Sequence, residues 1–90
     1  MEHEAAHALF YTNPTYKHLM LQHGKRLSNR VRQQVFAKLR KMGYSGVVRF
    51  DELQAYMSTS RLADLVHWFG KGITVNHSKP FKTTFKKYFQ

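Results

Sequence analysis

Two imidazoles and a carboxylate stand within five residues near the start of this 90-residue chain, in His3-Glu4-Ala5-Ala6-His7. On a helix, residues four apart lie one above the other on the same face, so His3 and His7 can hold one metal ion between them. Zinc is the natural guest, and Glu4 beside it could take a proton from a metal-bound water. A second set of chemically capable residues is cationic. Fifteen Lys and Arg stand against five acids, a formal net charge of +10. A polyanion, nucleic acid first, is the partner that such an excess selects.

The local run HEAAHAL resembles the zinc-binding helix of zincin metallopeptidases. That resemblance implies His3 and His7 as ligands and Glu4 as general base. The extended pattern of one zincin branch would require Gly and His where Phe10 and Asn13 stand. A third protein ligand stays open among His18, His23, Asp51, Glu52 and Asp64, because a catalytic zinc usually takes three.

These groups need elements to position them. Ala-rich sequence to Thr12 reads as a first helix, and Asn13-Pro14 supplies an N-cap and a first-turn proline for a second, which Gly24 is expected to stop. In a central helix from Ser28, residues Val31, Val35, Leu39 and Met42, with Phe36 beside them, recur at helical spacing, and Gly43 ends the run. Its polar side offers a cationic ridge of Arg30, Gln34, Lys38 and Lys41, with Arg26, Gln33 and Arg40 nearby. Next, Val47-Val48-Arg49-Phe50 has strand composition. Asp51 to Met57 reads as a short helix, Ser58-Thr59-Ser60 as a turn, and Arg61 to Phe69 as a helix with Leu62, Leu65, Val66 and Phe69 inward and Trp68 half-buried. Ile73 to Val75, a polar turn, and Phe81 to Phe85 read as a β-hairpin.

This order of elements resembles the winged helix-turn-helix family of DNA-binding domains. The expected fold is therefore mainly α with a small β-hairpin, in a single domain. Residues 1–24 would form an N-terminal helical extension, 28–85 the winged core and 86–90 a basic, aromatic tail. The resemblance implies Ser58, Thr59, Ser60 and Arg61 at or near the major groove. Lys25, Arg26, Arg30, Lys38 and Lys41 would contact phosphates, as would Lys79, Lys82, Lys86 and Lys87 along the wing and tail. The expected function is nucleic-acid binding, duplex DNA foremost, in a transcriptional or replication accessory role such as a virus or mobile element employs. One alternative is an interaction module or inhibitor whose basic face occupies an acidic or nucleic-acid-binding surface of a protein partner. The other is a small zinc hydrolase.

Composition narrows the remaining classes. With no cysteine, disulfides and thiolate metal sites are excluded. No phosphate-binding G-x-x-x-x-G-K loop and no G-x-S-x-G nucleophile elbow occurs, so outside HEAAH no enzyme is expected. Zinc is the one cofactor to consider. No apolar run is long enough to span a membrane, and the acidic first residues are unlike a signal peptide; an intracellular location, in cytoplasm, nucleoid or nucleus, is the expectation. A homodimer is compatible with the sequence.

Overall fold

The computed structural model describes residues 2–46 and 48–89, and among them every regular element is an α-helix. The six are α1 (Glu2–Thr12), α2 (Pro14–Arg26), α3 (Asn29–Lys41), α4 (Val48–Thr59), α5 (Leu62–Phe69) and α6 (Val75–Tyr88). Helix α4 lies in the middle, against α1, α2, α3 and α6. Leu53, Ala55 and Met57 of α4 are fully buried with Tyr16, Met20, Val35, Leu39, Leu65 and Phe81. No described helix is long and apolar enough to cross a membrane.

Helices α2 and α3 begin where their caps place them. The Asn13 side chain accepts the amide of Tyr16 at 3.1 Å, and Ser28 accepts that of Val31 at 3.3 Å. Each satisfies an amide that the first helical turn leaves without a partner. Val31, Val35, Phe36 and Leu39 are buried as their spacing requires, whereas Met42 is exposed. Gly43 follows α3 with φ of 101°.

Gly24 does not stop α2. It is buried inside the helix, and a Cβ there would stand 3.0 Å from the Phe50 ring. Its missing side chain lets α2 and α4 approach closely, so steric need rather than backbone freedom places glycine there.

The β-hairpin and the wing are corrected by this structure. Val48, Arg49 and Phe50 form the first turn of α4; Val47, where the extended run was expected to begin, lies outside the described residues, as does Gln90 at the end of the expected tail. Strand preference of β-branched residues is a weak bias that packing overrides. Here Phe50 lies edge-on to Phe36, with ring centroids 5.2 Å apart, and covers Gly24. The expected second strand is the middle of α6. Ser78, Phe81 and Phe85 are buried and Tyr88 half-buried, at spacings of three, four and three that belong to a helix and not to a strand. At its start, Thr74 and His77 form a reciprocal capping box, with the Thr74 amide donating to His77 Nδ1 at 2.9 Å. Pro80 sits inside α6, where it has no N–H to give the carbonyl of Asn76. The pair α4 and α5 does keep a helix, turn, helix order around Ser60 and Arg61, but α6 follows where a wing was expected.

Candidate functional site

Helix α3 lays its apolar stripe on the core and turns its remaining residues outward. Asn29, Gln33, Ala37 and Arg40 succeed one another along one exposed strip. Together with Arg32, Phe36 and Arg49 they line a groove between α3 and the start of α4. No acid lines it.

Two of its three arginines are held in place. Arg32 Nη1 donates to the Lys25 carbonyl at 3.0 Å, and Nη2 to Asn29 Oδ1 at 2.6 Å. Arg49 donates from Nε to the Gly46 carbonyl at 3.1 Å, and its guanidinium lies 4.7 Å from the centre of the Phe36 ring. Both retain N–H donors beyond those bonds, because a guanidinium has five. Arg40 is exposed. Among the described residues, Arg61 is the one Lys or Arg in a salt bridge, to Asp64 at 3.3 Å.

The other sequence-derived phosphate contacts divide into two groups. Lys25, Arg26, Lys38 and Lys41 are exposed on α2 and α3, and Lys79, Lys86 and Lys87 on α6. Arg30 is exposed too, with its guanidinium against Gly72, and Gln34 of the expected ridge donates to the Phe69 carbonyl at 2.6 Å, closing the end of α5. Several groups are committed to the fold. The buried Ser58 hydroxyl donates to the Gln54 carbonyl, and Thr59 Oγ1 to that of Ala55, each at 2.6 Å. Lys82 Nζ donates to the Ser60 carbonyl, and burial lowers its pKa below the usual lysine value. Arg32 and Arg49 were not singled out as contacts in the sequence, and Arg40 was placed only near the cationic ridge. The spacing of 29, 33, 37 and 40 carried a signal for this strip, while the strand reading of Val47 to Phe50 hid Arg49.

A second polar centre lies between α1 and α4. Asp51 and Glu52 are both buried, although carboxylates seldom are, and both face the imidazoles of α1. His7 Nδ1 is 2.9 Å from Asp51 Oδ2, and its Nε2 is 3.3 Å from Glu52 Oε2. His3 Nε2 is 3.7 Å from Glu52 Oε1. Burial, and then the neighbouring His7, lower the pKa of His3, against a smaller opposing effect of Glu52. Behind them, Gln54 donates to Asp51 Oδ1 at 3.1 Å and to the Ala6 carbonyl at 3.0 Å, and accepts the Tyr16 hydroxyl at 2.7 Å. His3 also lines an open cleft with Tyr56, Asp64 and Trp68. Of the five candidates for a third ligand, Glu52 is the one gathered with His3 and His7. Glu4 is exposed and outside that group, so the proton acceptor that the zincin resemblance implied is not beside the imidazoles.

No family model, no curated protein and no solved structure matches this chain.

Proposed function

We propose that this protein binds nucleic acid through its phosphate backbone, with the arginine groove between α3 and α4 as the principal contact and duplex DNA as the first partner to test. The observation that carries this reading is the convergence of Arg32, Arg40 and Arg49 on one groove with no acid in its lining. Guanidinium groups bind phosphate oxygens in pairs, and fixing two of the three in advance lowers the side-chain entropy lost on binding. Asn29 and Gln33 add neutral donors along the same strip. The exposed lysines of α2, α3 and α6 extend the field that draws a polyanion in. Such binding takes hold of the backbone without reading sequence. Use in transcription or replication would require specificity supplied by other groups.

Fluorescence-anisotropy titrations of mixed-sequence duplex and single-stranded DNA over a range of salt concentrations test this. The wild type should bind with an affinity that falls steeply as salt rises. The double variant Arg40→Ala, Arg49→Ala should reduce the logarithmic salt slope by about 2, close to 0.9 for each lost phosphate contact. Absence of binding at the lowest salt would overturn the reading. An unchanged slope in the double variant would overturn the choice of groove.

A further inference from the structure

Among the described residues, one buried side-chain atom has no hydrogen-bond partner, and it is Glu52 Oε1. A carboxylate oxygen removed from water and left without a donor is costly, and Glu52 as a residue is only 8% exposed. His3 Nε2 stands 3.7 Å from it, beyond hydrogen-bonding distance. A cation between them would satisfy both.

We propose that His3, His7 and Glu52 form a binding site for a divalent transition metal of the zinc class, with Asp51 orienting His7. One ligand atom from each of the three lies within 4.8 Å of the others. Tetrahedral zinc holds its ligands at about 2.0 to 2.2 Å, which sets neighbouring ligand atoms about 3.4 Å apart. His7 Nε2 and Glu52 Oε2 are already separated by 3.3 Å, and His3 Nε2 needs only a small side-chain adjustment to join them. Two imidazoles and one carboxylate are a donor set that suits zinc and neighbouring metals rather than magnesium or calcium.

The surroundings follow the logic of a supported metal site. Asp51 Oδ2 lies 2.9 Å from His7 Nδ1, where it would take the Nδ1 proton and leave Nε2 to face the ion. Asp51 is itself held by Gln54, and Gln54 by Tyr16 and the Ala6 carbonyl. The cleft lined by His3, Tyr56, Asp64 and Trp68 reaches the cluster at His3, its most exposed member. Glu4 lies outside the cluster, so metal binding and not hydrolysis is assigned to it. The ion would join α1 to α4 and stabilise the native state by binding it in preference to the unfolded chain. This inference is independent of the arginine groove.

The experiment uses the full, untagged chain titrated with zinc, and with cobalt as a spectroscopic substitute. The wild type should bind one ion per chain, raise its melting temperature with zinc and give visible cobalt absorption. His7→Ala and Glu52→Gln should abolish all three responses, and Asp51→Asn should weaken the affinity about 10- to 100-fold. Glu4→Gln and His77→Gln should behave as wild type. Because the Glu52 variant changes a buried position, the partly exposed His3→Ala provides the decisive comparison. It should melt like metal-free wild type and show no zinc-dependent rise. No uptake by the wild type, or uptake that survives His7→Ala or His3→Ala, would overturn the proposal.

Discussion

The α1–α4 contact and the outer surface of α3 are both rich in charged groups, and they handle charge in opposite ways. Between α1 and α4, two carboxylates are drawn inside and set against histidines, with Gln54 and Tyr16 completing a buried hydrogen-bond network. Along α3 the charged groups point outward, and no carboxylate lines the groove there. In a buried polar network each group depends on its neighbours, because a lone partner is left without water. On an exposed surface, screening makes each charge nearly independent and individually weak. The two regions are also linked. Asp51 and Glu52 face imidazoles rather than lysines or arginines, so the cations keep nearly all of the +10 excess available for an external anion.

If that contrast is sound, Gln54→Ala should have the largest effect on stability. It leaves Tyr16, Asp51 and the Ala6 carbonyl each short of a partner and opens a cavity. A loss of about 3 kcal/mol or more is expected from denaturant unfolding followed by circular dichroism. Gly70→Ala comes next. Gly70 has φ of 110°, and a Cβ there would collide with the Gln34 side chain that closes α5. About 2 kcal/mol should be lost, with little change in DNA affinity. Lys82→Met keeps the aliphatic stem but removes the bond to the Ser60 carbonyl. About 1 kcal/mol is expected in the same unfolding assay, whereas loss of DNA binding without loss of stability would place Lys82 with the phosphate contacts instead.

Acid should act through His23. Its pKa is lowered by burial and then by Arg26, and its Nε2 lies 2.8 Å from Thr84 Oγ1. A histidine with a depressed folded-state pKa binds a proton more readily in the unfolded chain. Stability is therefore lost as pH falls through the unfolded value of about 6.5. His3 contributes with the same sign when no metal is present. Thermal melts between about pH 7.5 and 5 should show the decline, and His23→Gln should make it shallower. The smallest effect on folding belongs to Arg40→Ala, within about 0.5 kcal/mol, although it should weaken DNA binding measurably. An unfolding penalty comparable to that of Gln54→Ala would erase the distinction between the two regions.

The parts of the fold that could be read from sequence are those whose signals are local. Asn13 and Ser28 cap the helices they precede, and the stripe of Val31, Val35 and Leu39 buries the face it marks. The β-hairpin failed because Thr83-Thr84, amid interleaved lysines and aromatics over residues 79–89, favoured a strand. Adding Ser78 to Phe81, Phe85 and Tyr88 gives the helical period that prevails. Gly24 misled for a different reason. A helix stop and a close helix crossing both call for glycine, and only the position of Phe50 distinguishes them. The spacing of His3 and His7 on one helix face was legible, and Glu52 stood among five candidates left open beside them, but nothing in the sequence selected it from a helix 45 positions later. No periodicity connects segments that meet only through tertiary packing.

Helix α4 has seven of its twelve residues buried, including all three polar ones from Asp51 to Gln54. Its backbone amides are consequently shielded by α1, α2, α3 and α6 at once. In hydrogen-exchange terms, no partial opening of a single neighbour uncovers α4, so its central amides should exchange only when the whole molecule unfolds. Those amides report global stability directly. Their exchange rates, followed in native buffer without denaturant, would register any ligand that binds the folded chain alone.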